Sequence, residues 1–168
     1  MKDPIGKLGW PKEKGRDGER TPMQWNTTVN AGFSQAKPWL PVPPTYKTHN
    51  VFNESVNPNS VFSFYKKLLA LRHNNPALLD GNYVPLNEDD PNVISYLRQY
   101  KDRAVLVALN MSATVQLVKF DLAKHGIAKA KATELLTSLT LPGIRSQQVL
   151  PMKNLVLPPY AVYIGEIK

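Results

Sequence analysis

The sequence predicts a mainly β protein, in which a long loop and one helix precede a C-terminal antiparallel β-sandwich. Eight of the 15 prolines fall within residues 1–59, and proline removes a backbone donor and restricts the residue before it. One stretch with helical spacing follows, and short strand-like runs separated by turns fill the remainder. Several short strands at near-regular spacing are typical of a sandwich.

Residues 1–59 are expected to be mostly loop. They contain all three tryptophans, Trp10, Trp25 and Trp39, and a tryptophan buries a large area when it packs. A loop of this length is unusual in a compact domain. We therefore expect it to lie on another surface, either the rest of the chain or a further body. If it is uncovered, its tryptophans predict self-association through the exposed loop.

One helix follows the loop. Pro58-Asn59-Ser60 supplies its cap, and the body runs from Val61 to about His73. Its apolar face is broad, which predicts contact on two sides. Asn74-Asn75-Pro76 should end the helix, because proline cannot continue it.

The region from Ala77 to Lys168 is predicted to be β. Val93–Tyr100 and Arg103–Asn110 flank the polar pair Lys101-Asp102, which predicts a hairpin. Further short strands are predicted at Val115–Phe120, Ala132–Leu136, Gln147–Leu150, Leu155–Leu157 and Ala161–Ile164.

Composition narrows the function classes. The chain has no cysteine, so disulfides and thiolate metal sites are excluded. No apolar run is long enough to span a membrane, and the N-terminus lacks a signal-peptide pattern, which leaves the compartment open. The net charge of +8 is scattered along the chain, so no nucleic-acid partner is expected. His49, His73 and His125 have no metal-pair spacing, and neither a metal nor a cofactor is expected.

Two groups of carboxylates deserve a test, since a pair of them can hydrolyse a glycosidic bond. Glu88-Asp89-Asp90 precedes a proline and is expected to form a turn. Asp17 and Glu19 are flanked by Arg16 and Arg20 in a glycine-containing loop. They could form an ion-pair network or line a pocket, and spacing alone favours the network.

The run Arg16–Trp25 resembles the signature Arg-Asp-x-x-Arg-Thr-Pro-Met-Gln-Trp of α-glucosidases and oligo-1,6-glucosidases in the α-amylase family. Segments similar to that family precede it at Asp3–Lys7 and Trp10-Pro11, and others follow in the same order at Asn30–Ser34, Pro38–Val42, Tyr46–Val51 and Ser63–Arg72. The resemblance is strong over about residues 3–80, and the β region is similar only in general pattern. Trehalose synthases and related glucosyl-transferring enzymes carry similar segments.

The resemblance implies a parent enzyme with a catalytic (β/α)8 barrel and a retaining mechanism on oligosaccharides. Residues 1–76 would be a remnant of a truncated barrel, namely the loop after the eighth strand and the eighth helix. Residues 77–168 would be the sandwich domain. The family's nucleophile Asp and acid/base Glu lie on earlier strands, so no catalytic residue is assigned here. The chain alone is expected to be inactive, and the missing barrel is its expected partner.

Within the resemblance, Arg16 matches an arginine placed to reach hydroxyls of the glucose at the cleavage site. A guanidinium suits this role because it carries several fixed donors, although an internal salt bridge explains Arg16 equally well. Asp17 and Arg20 would brace the loop by ion pairing. A carbohydrate-binding β-module is an alternative function, since sandwiches often bind glycans on exposed aromatic residues, and Tyr83 and Tyr96 are among its tyrosines.

Overall fold

The computed structural model describes residues 1–127, 131–138, 149–151 and 154–167. The chain divides into two compact units, Met1–Lys66 and Lys67–Lys168. The helices are α1 (Pro4–Gly9), α2 (Val51–Val56), α3 (Val61–Asn74) and α4 (Pro76–Asp80). The strands are β1 (Asn82–Leu86), β2 (Val93–Tyr100), β3 (Arg103–Asn110), β4 (Gln116–Val118), β5 (Lys131–Thr137), β6 (Val149–Pro151), β7 (Leu155–Leu157) and β8 (Val162–Ile167). The chain is mainly β, with a loop region and a helix before an antiparallel sandwich, as predicted.

The first unit consists of loops interrupted by short helices. Besides α1 and α2, it contains 3-10 helices at Asp17–Arg20, Val29–Gly32 and Pro44–Lys47. These helices were not predicted, because the proline content of residues 1–59 indicated loops. Both α-helices form because a polar side chain caps them: Asp3 accepts from the Ile5 amide, and Asn50 accepts from the Asn53 amide.

Backbone and amide hydrogen bonds hold these loops together. The Ala31 carbonyl accepts from the amides of Trp25 and Asn26, and the Asn30 side chain donates to the carbonyls of Ser34 and Ala36. Asn30 and Ala31 have positive φ values of 52° and 56°, which bend the chain sharply enough for these contacts. In this unit, hydrogen bonds between polar groups take the place of a large apolar core.

Helix α3 begins and ends where its sequence predicts. The Ser60 hydroxyl accepts from the Ser63 amide at 3.0 Å, and the helix ends at Asn74. Asn75 then caps α4, which the sequence did not predict, by accepting from the amides of Ala77 and Leu78. Leu68 and Leu71 of α3 pack against the core of the second unit. The rest of its apolar face is exposed, including Val61, Tyr65 and Leu69.

Every strand pair in the described part of the second unit is antiparallel. The larger sheet has the order β1-β2-β3-β8-β5-β6, and β4 pairs with β7 in a second sheet. The predicted hairpin is confirmed, since Tyr100 pairs with Arg103 across the Lys101-Asp102 turn. A strand before the Glu88-Asp89-Asp90 turn was predicted without bounds; it is β1, an edge strand in which Pro85 is tolerated. Gln147 and Gln148, which we predicted to begin a strand, lie outside the described residues.

Side chains on the two faces of the larger sheet belong to two apolar clusters. Along β3, Ala104, Leu106 and Ala108 belong to the cluster that includes residues of β4 and β7. Val105 and Val107 belong to the cluster that includes Leu68 and Leu71 of α3 and residues of α4. Successive strand residues point to opposite faces, so β3 is apolar almost throughout because both of its faces are buried.

Candidate functional site

Arg16 lies immediately before the 3-10 helix Asp17–Arg20, and its side chain is 45% exposed. Its Nε donates to one carboxylate oxygen of Asp3 at 2.9 Å, and its Nη2 donates to the other oxygen at 3.3 Å. Its backbone amide donates to the same carboxylate at 2.8 Å. Asp3 therefore holds Arg16 by both the main chain and the side chain.

Asp3 is a buried carboxylate, with 3% of its surface exposed. It occupies the cap of α1, with Pro4 at the first helical position, a combination that suits a helix start. Hydrogen bonding from Arg16 holds the pKa of Asp3 well below its usual range, and the amides of Arg16 and Ile5 act in the same direction. The same bond with Asp3 raises the pKa of Arg16, so the pair is ionised at neutral pH.

The sequence did not identify Asp3 as part of the site. Asp3 and Pro4 suit a helix start, but a cap gives no information on a contact made 13 residues further along the chain. The signature run Arg16–Trp25 therefore gave no indication of the carboxylate that holds Arg16.

Asp17 lies beside this pair. Its carboxylate accepts from the backbone amides of Lys2 at 2.5 Å and Asp3 at 2.9 Å. It thereby joins the start of the chain to the signature loop. Arg20 is exposed at the end of the 3-10 helix, and in the described part of the chain no ion pair joins it to Asp17. Glu19 is also exposed, and its charge adds to the rise in the pKa of Arg16.

Two glycines let the segments of this site approach each other. A Cβ on Gly6 would lie 2.9 Å from the Lys14 carbonyl oxygen and 3.2 Å from the Gly15 Cα, closer than side chains normally pack. Gly15 itself has φ of +70°, and a Cβ there would lie 3.2 Å from the Asp3 Cβ. A larger residue at Gly6 or Gly15 would force these neighbouring segments to shift.

A cleft of about 480 Å³ lies in the same unit, lined by residues that include Lys2, Trp39 and Tyr46. The Lys2 ammonium group is 5.7 Å from the centre of the Trp39 ring. Lys2 thus lines this cleft, and its backbone amide donates to Asp17.

The other candidate residues do not gather at a site. Glu88 and Asp89 lie in the turn between β1 and β2, as expected, and the Asp90 carboxylate accepts from the amides of Asn92 and Val93. Among the described residues, no three His, Asp or Glu side chains are arranged to hold a metal ion. No helix within the described ranges has the length and apolarity to cross a membrane.

Two family models match the chain. The catalytic domain of α-amylase matches residues 6–81, and the C-terminal domain of maltogenic amylase matches residues 83–164. An oligo-1,6-glucosidase of Parageobacillus thermoglucosidasius is 44% identical over 125 residues, which cover 74% of this chain and 22% of that protein. The oligo-1,6-glucosidase of Bacillus cereus is 34% identical over 155 residues, which cover 92% and 26%.

Solved structures of related proteins have the same fold. The crystal structure of isomaltulose synthase from Klebsiella sp. LX3 superposes with a TM-score of 0.79 at 29% identity, covering 94% of this chain and 26% of that one. Trehalulose synthase from Pseudomonas mesoacidophila MX-45 superposes with a TM-score of 0.79 at 33% identity, covering 92% of this chain and 26% of that one. The chain thus spans about a quarter of the length of these proteins. It belongs to the α-amylase family of glycoside hydrolases and corresponds to the C-terminal part of the α-glucosidases and oligo-1,6-glucosidases.

Proposed function

We propose that this chain is the C-terminal part of an α-glucosidase that removes terminal α-linked glucose from oligosaccharides by a retaining mechanism. Arg16 carries the proposal: its guanidinium is fixed on one side by Asp3 and half exposed on the other. A fixed fork of donors suits sugar hydroxyls. Residues 1–76 would complete the catalytic barrel, and residues 77–168 would form the attached sandwich.

The names of the curated relatives support α-1,6 linkages as the substrate class. They include oligo-1,6-glucosidases and a glucan 1,6-α-glucosidase of Streptococcus pneumoniae that is 41% identical over 153 residues. In the retaining mechanism, one carboxylate attacks the anomeric carbon and another protonates the leaving oxygen. In this proposal both carboxylates belong to the part of the enzyme that precedes this chain. Arg16 would bind the sugar, and Asp17 and Arg20 would support its loop.

A glucosyl-transferring enzyme is the second candidate. The observation in its favour is the superposition on isomaltulose and trehalulose synthases, one of which was crystallised with sucrose as its substrate. These neighbours are 29–33% identical over 92–94% of the chain, whereas the Streptococcus pneumoniae glucan 1,6-α-glucosidase is 41% identical over 91% of it. We therefore place hydrolysis first.

A hybrid enzyme tests the proposal. The matching C-terminal segment of the Parageobacillus thermoglucosidasius enzyme is replaced by this chain, and release of glucose from isomaltose is measured. We expect the hybrid to hydrolyse isomaltose and the 168-residue chain alone to be inactive. Arg16→Ala should lower the kcat/KM of the hybrid roughly tenfold to a hundredfold, the range for a lost charged hydrogen bond.

Arg103→Ala is the matched control, because Arg103 also pairs with a carboxylate but lies in the sheet. It should leave kcat/KM of the hybrid unchanged. A folded hybrid without activity would contradict the proposal. So would hydrolysis by the chain alone that Arg16→Ala abolishes, because the chain would then hold an active site of its own.

A further inference from the structure

We propose that Asp3 is a positioning residue for Arg16: it fixes the guanidinium plane and neutralises its charge, so that the outer edge binds two hydroxyls of a neutral sugar. This inference rests on the proposed function, because it explains how Arg16 is positioned in the proposed sugar-binding site. Asp3 lies outside the signature run Arg16–Trp25, and only the folded chain brings it to Arg16.

The pattern of hydrogen bonds leaves one edge of the guanidinium free. A guanidinium has five N–H donors in a rigid plane and two edges that can each bind a pair of oxygens. Asp3 occupies the edge formed by Nε and Nη2. The second edge, formed by Nη1 and the remaining Nη2 hydrogen, donates to no described residue, and the side chain is 45% exposed.

Asp3 is held more firmly than a surface carboxylate. Its side chain is 1% exposed and accepts from the amides of Ile5 and Arg16 as well as from the guanidinium. The Asp3 amide in turn donates to Asp17. These contacts hold the Asp3 carboxylate in place at the start of α1. Its two hydrogen bonds to the guanidinium therefore also restrict the movement of the Arg16 side chain.

Charge identifies the class of ligand. Asp3 pairs directly with Arg16, and Glu19 also interacts with it electrostatically. An arginine compensated in this way attracts an anion weakly, because its positive charge is already balanced. Its remaining N–H groups still donate hydrogen bonds in a fixed geometry. A neutral polyol with adjacent hydroxyls, such as a pyranose, therefore fits the site better than a phosphate.

The positioning role is tested by nuclear magnetic resonance on the complete 168-residue chain. The Nε–H signal of Arg16 reports its bond to Asp3 directly. We expect Asp3→Asn, which keeps the side-chain volume, to shift this signal and to speed its exchange with water roughly tenfold or more. An unchanged signal and exchange rate in Asp3→Asn would overturn the proposal.

Two variants separate this role from general loosening of the structure. Asn50→Ala removes the cap of α2 in the same unit without touching Arg16, and it should leave the Arg16 Nε–H signal unchanged. Glu166→Gln removes the partner of Arg103 and should shift only the Arg103 signal. If Asn50→Ala alters the Arg16 signal as strongly as Asp3→Asn does, Asp3 has no specific role.

Titration with isomaltose and with inorganic phosphate tests the class of ligand. Isomaltose at tens of millimolar should shift the Arg16 Nε–H signal, since one isolated donor edge binds weakly. Phosphate at the same ionic strength should shift it less. In Asp3→Asn the preference should reverse, because the charge of Arg16 is no longer balanced. A larger response to phosphate in the unaltered chain would overturn the assignment.

The hybrid enzyme supplies a kinetic readout. Asp3→Asn should raise its KM for isomaltose roughly tenfold and change kcat less than about threefold, because the guanidinium remains but is misplaced for binding. An equal KM would contradict the proposal. If the hybrid is inactive while the resonance and titration results hold, the proposed function fails but the positioning of Arg16 by Asp3 stands.

Discussion

The two units of this protein are stabilised in different ways. Among the described residues of the first unit, the buried apolar side chains are Pro22, Ala31 and Leu40, accompanied by the buried polar residues Asp3, Asn50 and Ser60. The second unit has two apolar clusters on its sheet. Hydrogen bonds and caps therefore determine the first unit, whereas burial of apolar surface determines the second.

This difference explains where the candidate site lies. Loops carry binding groups when a rigid framework positions them, and in the first unit the framework is itself polar. Asp3 is at once a helix cap and the partner of Arg16. The sheet, by contrast, uses its residues for packing, and its Arg103–Glu166 pair lies partly in solvent.

The largest effect is expected from a cavity in the sheet. Leu97 is fully buried in β2, and Leu97→Ala should lower the free energy of unfolding by about 2–5 kcal/mol. Urea unfolding followed by far-ultraviolet circular dichroism measures this. The control is Leu117→Ala in β4, which is 61% exposed and should cost less than about 0.5 kcal/mol. Equal losses would refute the claim that an apolar core holds this unit.

In the first unit the sensitive position is polar. Asn50 is buried, donates to the Tyr46 carbonyl at 2.8 Å and accepts from the Asn53 amide at 2.9 Å. Asn50→Ala should destabilise the unit by about 1–2 kcal/mol, seen as faster hydrogen exchange at Asn53. Asn59→Ala, at an exposed position, is the comparison and should leave that exchange rate unchanged. No acceleration in Asn50→Ala would show that the caps do not hold this unit.

The buried Tyr163 makes the free energy of unfolding depend on pH. Its hydroxyl is buried and has no hydrogen-bond partner within the described ranges, and burial raises the pKa of Tyr163 to about 12. The folded state keeps this proton while an unfolded tyrosine loses it near pH 10. The unfolded state thus binds fewer protons, so the free energy of unfolding falls, on the order of 1–2 kcal/mol, as the pH rises from 10 to 12.

Tyr163→Phe should remove this part of the pH dependence. At neutral pH it should be neutral or slightly stabilising, because the hydroxyl gains no bond on folding. Thermal unfolding across pH 8–12 measures both effects, with Tyr160→Phe, at a residue 68% exposed, as the control. A marked loss of stability in Tyr163→Phe at neutral pH would show that the hydroxyl does have a partner.

The smallest effect is expected at the surface of the sheet. Arg103 donates to Glu166 from Nε at 2.9 Å and from Nη2 at 2.6 Å, but the Arg103 side chain is 42% exposed. Glu166→Gln should therefore cost about 0.2–1 kcal/mol, and the difference should shrink at about 1 M salt. A larger loss of stability that persists at high salt would show that this ion pair stabilises the unit as much as its apolar clusters do.

Local pattern predicted much of the second unit. The alternation and polar turn around Lys101-Asp102 predicted both strands of the hairpin with their observed bounds, because each strand is specified by residues next to it in sequence. Helix α3 was predicted for the same reason. The bounds of strand β1, which contains Pro85, and the five-residue helix α4 were not predicted. An edge position and a cap at Asn75 allow them.

The candidate site was predicted in part. The resemblance singled out Arg16, Asp17 and Arg20, and the roles assigned to them remain predictions. The structure adds that Asp17 bonds to the backbone of Lys2 and Asp3. Among the described residues no ion pair joins Asp17 to Arg20, and the loop-bracing role that the resemblance implies for them stays a prediction.

The sequence by itself determined the order of loop, helix and strands, since proline content, caps and periodicity act over a few residues. It also indicated the family, through a signature that no fold was needed to recognise. Only the tertiary structure decided which carboxylate pairs with Arg16. It also decided that, among the described residues, one edge of the Arg16 guanidinium and the buried Tyr163 hydroxyl have no partner. These are contacts between distant residues, and their free energy depends on burial and geometry that no local pattern specifies.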